Sequence, residues 1–359
     1  AIKRALKTTD KTQALITART LYIDIKGKID RGERLKSITT LELIEEWDKK
    51  LKTQITNIPH EGITPDSYKQ KRYFLRNWIA YINHLSLGNK SIDKIDVHKT
   101  RDFGTWLINK PKETSLNTGN ARAKEGINNN ISEVIRMYHQ LGVRERYISV
   151  NQVPEIDRVK VQKDEGYKRD IMNEEQYEKF WRWIQNNYIT KKHNPLTEDI
   201  ELEKRKIWKE FIFIISNVGF RSKELLGIKM SEIMENPNWD SERRETDLLM
   251  KVRKENSKTG RARVCVAPVK KRIERILSSY KKIGIVHKPD DFLFINPISK
   301  ERKHYGRMIM YNRLKDTLER SGLKDDLAKE GKSITIYSFR HQYACWRLRY
   351  GDVPIHLLA

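Results

Sequence analysis

Near the end of the chain lies the stretch Ile334-Thr335-Ile336-Tyr337-Ser338-Phe339-Arg340-His341-Gln342-Tyr343-Ala344-Cys345. Its β-branched start leads into a helix, for which Ser338 is a suitable N-cap residue. Aromatic residues then recur at i, i+4, i+7 and i+11, a spacing that predicts one buried helical face. The residues of this face are Phe339, Tyr343, Trp346 and Tyr350.

Arg340 and His341 lie beside that face, in the first turn of the predicted helix. An arginine at this position can present its guanidinium to a phosphate, close to the positive end of the helix dipole. Considered alone, the stretch is explained by an ordinary amphipathic helix with a solvated arginine. Two earlier motifs favour the phosphate-binding interpretation.

Both earlier motifs place a basic residue at a break between predicted elements. Residues 217–228 read Asn-Val-Gly-Phe-Arg-Ser-Lys-Glu-Leu-Leu-Gly-Ile, so Arg221 follows a glycine break and Glu224 comes three residues later. Glu224 can hold Arg221 through a salt bridge, or it can be a first-turn glutamate favoured by the helix dipole. Residues 256–261 read Asn-Ser-Lys-Thr-Gly-Arg and place Lys258 in a turn between two alternating segments, which predict a β-hairpin.

In this order and spacing, the three motifs resemble the catalytic domain of the tyrosine recombinase (phage integrase) family. The family pattern comprises an arginine at a helix start, a lysine in a β-hairpin turn, an H-x-x-R-H box, a His or Trp, and a tyrosine nucleophile. Arg221, Lys258 and Arg340 match it, and His341 matches the second residue of the R-H pair. Tyr337 departs from it, because it stands where the box usually has histidine. We expect the nucleophilic tyrosine beyond Ala359, so that the chain as given would not cleave DNA.

The resemblance implies a DNA strand transferase that cuts and rejoins DNA through a 3′-phosphotyrosyl intermediate, without a metal or other cofactor. Arg221 and Arg340 would hold the non-bridging oxygens of the scissile phosphate, with Glu224 as a support. Lys258 would protonate the leaving 5′-oxygen. Tyr337 would donate a hydrogen bond to the phosphate, since a phenol is a poor base at neutral pH. Structural support and chemistry are equally open roles for His341.

Composition and charge are consistent with a folded protein that binds a polyanion. The chain has 359 residues, with 72 Lys and Arg against 48 Asp and Glu, a net charge of +24. Its 8 Trp and 15 Tyr argue against a disordered basic tail. No apolar run reaches about 18 residues, so we expect no membrane span. Cys265 and Cys345 are predicted to be free thiols in a reducing compartment, and the family resemblance implies a cytoplasmic, nucleoid-associated location in a bacterial host.

The predicted fold class is mainly α with a small β-sheet (α+β), a helical core-binding domain followed by a tyrosine-recombinase-like catalytic domain. Residues 1–60 are expected to form a basic N-terminal arm or linker segment, and 62–150 the helical DNA-binding domain. A linker would cover residues 151–170, and the catalytic domain residues 171–359, incomplete at its C-terminal end.

Basic residues on several predicted surfaces are candidates for contact with double-stranded DNA. Simple solvation of these side chains is the alternative. The candidates are Lys3, Arg4, Lys7, Lys69, Lys71, Arg72, Arg122, Lys124, Arg261 and Arg263. The resemblance further implies a homotetramer on DNA, with DNA-bending accessory proteins as possible partners.

Three functions are compatible with these motifs. The first is a site-specific recombinase or integrase for the integration or excision of a mobile element. The second is a non-catalytic DNA-binding protein that retains the recombinase fold, which the tyrosine at position 337 favours. The third is a type IB topoisomerase-like enzyme, which would relax supercoils without defined sites.

Overall fold

The computed structural model describes residues 5–32, 37–58, 61–110, 123–161, 170–191, 196–237 and 247–351. The chain divides into two compact units, Ala1–Asn57 with Glu61–Asp164, and Ile58–His60 with Glu165–Ala359. Each unit has a hydrophobic core of its own.

The described part of the first unit is helical. Its α-helices are α1 (Lys11–Asp30), α2 (Thr40–Thr53), α3 (Pro65–His84), α4 (Phe103–Asn109) and α5 (Lys124–Met137). Helix α5 runs on into a π-helical turn, Tyr138–Val143. Shorter 3₁₀ turns lie at Ile92–Lys94, Val97–Thr100 and Val150–Gln152.

Local sequence signals explain where these helices begin. The Thr64 side chain accepts a hydrogen bond from the Ser67 amide, and Pro65 occupies the first helical position of α3. Thr39 and Glu42 form a reciprocal capping box at α2. Helix α4 is preceded by a separate 3₁₀ turn, Val97–Thr100, and begins after it at Phe103.

The first core joins α2, α3, α4 and α5. Trp47 and Trp78 are buried in it, and the Trp78 ring meets the Phe103 ring edge-on at 4.9 Å between centroids. Ile131 and Val134, on the inward face of α5, are fully buried in this core. Helix α2, which the sequence places in an N-terminal segment, packs in the same core as the helices after residue 62.

The second unit combines helices with a small sheet. Its described α-helices are α6 (Glu174–Trp183), α7 (Asp199–Val218), α8 (Ser222–Leu226), α9 (Lys270–Lys282), α10 (Arg307–Arg320), α11 (Leu323–Lys329) and α12 (Ile336–Tyr350). A π-helical turn, Ile184–Tyr188, extends α6, and the 3₁₀ turn Met230–Glu232 leads into the sheet. The strands are β1 (Ile233–Glu235), β2 (Leu248–Val252) and β3 (Arg263–Ala267).

The strands form an antiparallel sheet in the order β1-β2-β3 among the described residues. Met250 pairs with Ile233 on one side and with Cys265 on the other. The predicted hairpin is therefore confirmed, but the valines of its second strand face solvent rather than the core. Val264 and Val266 are 54% and 48% exposed, whereas Arg263 and Cys265 lie on the more buried face. The alternation of apolar residues predicts the wrong inward face for this strand, because a charged side chain, paired with a buried carboxylate, takes the inner position.

Helix α7 is the centre of the second core, and α12 packs against it. Gln342, buried in α12, accepts a hydrogen bond from the Met172 amide at 3.0 Å and donates one to the Met172 carbonyl at 2.8 Å. The rings of Phe180 in α6 and Phe339 in α12 lie 5.4 Å apart. These contacts hold the N-terminal half of α12 in place.

Helix α12 differs from its predicted form at both ends. It begins at Ile336 rather than near Ser338, because Thr335 is the N-cap residue and Ser338 completes the capping box. Phe339 is buried as predicted, but Tyr350 is 62% exposed, so the prediction of burial is wrong there. The helix extends past the core at that end. None of the described helices is long and apolar enough to cross a membrane.

Candidate active site

The site begins where α7 ends. Gly219 has a φ of +74°, a left-handed conformation that glycine adopts without strain, and its amide closes the last turn on Ile215. Phe220 is buried directly after it, and Arg221 is the N-cap residue of α8. The glycine break predicted from the sequence is confirmed, and it turns the chain so that Arg221 lies at the start of a new helix.

Glu224 fixes Arg221 from within the same turn. The Arg221 amide donates to Oε2 of Glu224 at 2.9 Å, and Nη1 of Arg221 donates to Oε1 at 2.8 Å. The Glu224 side chain is fully buried. Burial by itself would raise the pKa of Glu224, but the hydrogen bonds from Arg263 and Arg221 outweigh it and lower that pKa. Glu224 therefore carries a stabilised negative charge, and the salt bridge to Arg221 is present.

Arg340 reaches the same place from α12. Its Nη1 donates a hydrogen bond to the carbonyl oxygen of Gly219. No carboxylate among the described residues forms a salt bridge with it. Burial, together with the positive charge of Arg221, lowers the pKa of Arg340. The two arginines are thus neighbours whose mutual repulsion a bound anion would relieve.

An open cavity of about 640 Å³ lies beside these side chains. Four arginines line it, namely Arg221, Arg261, Arg263 and Arg340. Within the described residues, Nε and Nη2 of both Arg221 and Arg340 donate no hydrogen bond. The cavity therefore combines basic walls with available donors, which suits an anionic group with several oxygens.

Tyr337 and His341 are adjacent on α12 and both line the cavity. Their rings lie 5.1 Å apart between centroids and are tilted by 56°. The spacing of four residues places them one turn apart on the same side of the helix. Both are half-buried, so each can meet a bound group without leaving the wall of the cavity.

Lys258 lies in the turn between β2 and β3, as predicted, and is exposed. The base of this turn is tied to the end of α8, because Arg253 Nη2 and Asn256 Nδ2 both donate to the Gly227 carbonyl, at 2.9 and 2.8 Å. Thr259, its neighbour, lines the cavity, but Lys258 itself does not. The turn places the lysine at the margin of the cavity rather than within it.

The predicted DNA-binding residues fall into separate groups. Lys7, Lys69, Arg72, Lys124 and Arg261 are exposed. The side chain of Lys71 is only 15% exposed and forms an ion pair with Glu133, so its prediction as an outward-facing lysine is wrong. Arg263 is paired with Glu224. Lys3, Arg4 and Arg122 lie outside the described residues.

Some features of the site were not predicted from the sequence. Tyr343, assigned there to the buried face of the helix, lines the cavity, as does Cys265. A Cβ at Gly219 would lie only 2.4 Å from Cδ1 of Tyr343, so the aromatic ring occupies the space that the glycine leaves open. Arg263 and Cys265, on the more buried face of β3, both line the cavity. The periodicity of apolar residues alone does not predict this placement.

Among the described residues, no group of histidine, cysteine and acidic side chains is arranged to hold a metal ion. The chemistry available here is that of guanidinium groups, a lysine, phenols and an imidazole.

By fold, the chain is similar to a site-specific recombinase and to two integrases among the solved structures. XerH recombinase bound to difH substrate, in a pre-cleavage complex, has a TM-score of 0.56 at 14% identity, over 91% of this chain and 93% of that chain. Lambda integrase(75-356), as a dimer bound to a COC′ core site, has a TM-score of 0.54 at 13% identity, over 89% and 93%. A single-residue variant of the Tn1549 transposon integrase (aa 82-397), in complex with a circular intermediate DNA, has a TM-score of 0.52 at 13% identity, over 90% of each.

These likenesses extend over both units and confirm the predicted α+β fold, which the chain shares with these recombinase and integrase structures. By sequence, the chain matches no protein-family model and no curated protein.

Proposed function

We propose that this chain is a site-specific DNA recombinase that cuts and rejoins DNA through a 3′-phosphotyrosyl intermediate, for the integration or excision of a mobile element. The observation that carries the proposal is the meeting of Arg221 and Arg340 at one cavity, although they lie far apart in the chain. The fold likeness to recombinases supports the same assignment.

Arg221 and Arg340 are assigned to the scissile phosphate. In transesterification the phosphorus becomes pentacovalent and its non-bridging oxygens gain negative charge. Two guanidinium groups with available Nε and Nη2 donors can stabilise that negative charge through short, charge-assisted hydrogen bonds. The Gly219 carbonyl and the Glu224 carboxylate hold them in advance, so little reorganisation is required when the charge develops.

Lys258 is assigned as the general acid. When the tyrosine oxygen bonds to phosphorus, the bond to the 5′-oxygen breaks, and that oxygen requires a proton to leave as a hydroxyl. A lysine on an exposed turn beside the cavity can approach the leaving oxygen when DNA is bound. The phosphodiester energy is retained in the 3′-phosphotyrosyl bond, so rejoining is the same reaction in reverse.

Tyr337 is assigned as a hydrogen-bond donor to a non-bridging oxygen, in the place where the family pattern has histidine. A phenol donates well but accepts a proton poorly at neutral pH. His341, in ring contact with Tyr337, supports its orientation and offers an imidazole for proton removal from the nucleophile.

The proposed partner is double-stranded DNA. Each of the three similar structures is described as bound to a DNA substrate or site. Recombination exchanges strands between two duplexes, so we propose a homotetramer assembled on paired sites, with DNA-bending proteins as accessory factors. The net charge of +24 favours such an assembly by attraction to phosphates.

The proposal is tested by covalent trapping. A binding site is first selected from a random duplex pool with full-length protein, then rebuilt with a nick beside the cleavage position so that the released fragment diffuses away. We expect a denaturant-resistant protein–DNA adduct, and mass spectrometry of the adduct should locate it on a tyrosine. Arg340→Ala should bind this DNA with little change in affinity but lose adduct formation about 10²-fold or more.

Arg349→Ala is the matched control, because Arg349 lies on the same helix but does not line the cavity. Full adduct formation by Arg340→Ala would refute its role as a phosphate clamp. Specific binding without any adduct would indicate a non-catalytic DNA-binding protein. Relaxation of supercoiled DNA without defined sites would indicate a topoisomerase-like enzyme.

A further inference from the structure

Arg263 shares the carboxylate of Glu224 with Arg221. Nη1 of Arg263 donates to Oε1 at 3.2 Å, and its Nη2 donates to Oε2 at 2.7 Å. Arg221 uses the same two oxygens, through Nη1 at 2.8 Å and its amide at 2.9 Å. Each carboxylate oxygen therefore accepts a hydrogen bond from both arginines.

This sharing has a physical consequence for the orientation of Glu224. Arg221 reaches the two oxygens from its own amide and side chain, whereas Arg263 adds two parallel hydrogen bonds of a guanidinium fork, which fix the plane of the carboxylate. Arg263 supplies that fork from the first residue of β3, on a different element from α8. Because Arg221 Nη1 is bonded to an oxygen of the fixed carboxylate, its direction is fixed as well.

The energetics lead to the same conclusion. A fully buried carboxylate is costly unless it is paired and hydrogen-bonded. Because Arg263 also pairs with Glu224, the negative charge of Glu224 is balanced although Arg221 contributes only its amide and Nη1. Arg221 can then keep Nε and Nη2 for another group, and within the described residues these two atoms donate to none.

We propose that Arg263 is a positioning residue for DNA strand cleavage, acting through Glu224 to hold Arg221 toward the phosphate. The inference rests on the recombinase function proposed above. Arg263 differs in this role from Arg261, which also lines the cavity but is exposed and forms no ion pair within the described residues. Arg261 is the residue of this strand edge available for DNA itself.

The test is a double-mutant cycle on full-length protein. Single-turnover cleavage of the nicked substrate is measured for wild type, Arg263→Gln, Arg221→Ala and the double variant, together with DNA affinity and melting temperature. We expect Arg263→Gln to slow cleavage about 10²-fold, as a misplaced catalytic group does. In the Arg221→Ala background the same change should slow cleavage less than about threefold, because there is no longer an arginine to position.

Two companion variants make the outcome specific. Arg263→Lys keeps the charge but loses the fork, so it should recover part of the lost rate. It also replaces Arg263→Gln in the cycle if the glutamine variant does not fold. Arg261→Gln, the neighbouring control, should weaken DNA binding and lower its salt dependence, and its effect should persist in the Arg221→Ala background.

Equal slowing by Arg263→Gln in both backgrounds would overturn the proposal, since it would show a general structural role. A loss of DNA affinity comparable to the loss of rate would also overturn it, since Arg263 would then contact DNA directly. If wild type forms no adduct at all, both the recombinase function and this inference fail. If wild type forms the adduct and Arg263→Gln does so at the same rate, only the inference fails.

Discussion

At the scale of single residues, Gly219 is a position with little tolerance for a side chain. It combines a positive φ, a carbonyl that accepts from Arg340, and the close approach of the Tyr343 ring. A side chain here would strain the backbone and displace the ring at once. The residue that allows α7 to end is therefore the one that lets α12 approach the arginine at the start of α8.

Gly219→Ala is expected to destabilise the protein by more than its backbone strain. Left-handed strain alone costs about 1–2 kcal/mol, and the contact 2.4 Å from the Tyr343 ring adds about 1–3 kcal/mol. Gly284→Ala is the control, because Gly284 has a φ of +78° with nothing within 4 Å of an added Cβ. Urea unfolding of both variants should show the larger loss at Gly219, and equal losses would contradict the role given to Tyr343.

At the scale of elements, the turn that carries Lys258 depends on α8. Asn256 and Arg253 both donate to the Gly227 carbonyl, and an added Cβ on Gly227 would come within 2.4 Å of the Asn256 amide. Ser257 is buried next to them, while Lys258 is exposed. The turn is thus anchored at its base and open at the lysine, which suits a proton donor that meets its substrate on binding.

Asn256→Ala should slow cleavage by loosening that anchor. One lost hydrogen bond of about 1 kcal/mol corresponds to a decrease of roughly fivefold. A substrate with sulfur in place of the leaving 5′-oxygen has a good leaving group and should remove the deficit, as it should for Lys258→Ala. A deficit that persists with the sulfur substrate would show that the turn serves another step.

At the scale of the whole molecule, the net charge of +24 predicts a polyanionic partner but does not identify the basic residues that meet it. In the first unit, Lys69 is exposed, whereas Lys71, two positions later, pairs with Glu133. Glu133 is buried and also accepts from the Trp47 indole at 3.2 Å. Lys71 therefore stabilises the core of its unit, and Lys69 is the better candidate for phosphate contact.

The pair Lys69→Ala and Lys71→Ala separates these roles. Lys69→Ala should leave stability unchanged and lower the salt slope of DNA binding by about one. Lys71→Ala should reduce the free energy of unfolding by about 1–3 kcal/mol, because Glu133 loses a partner while still buried. Binding measured over a salt series and unfolding in urea test both. A lower slope for Lys71→Ala with unchanged stability would reverse the assignment.

The sequence by itself determined the order of the elements, the break at Gly219, the hairpin turn of Lys258 and the residues Arg221 and Arg340. These depend on local rules, namely caps, periodicity and the conformational freedom of glycine, which act over a few residues. Only the tertiary structure decided which basic side chains face the cavity, that Arg263 and Cys265 take the inner face of β3, and that α2 joins the first core. The reason is that a buried carboxylate such as Glu224 or Glu133 pairs with a cation from a distant part of the chain, and the local sequence pattern does not predict which cation that is.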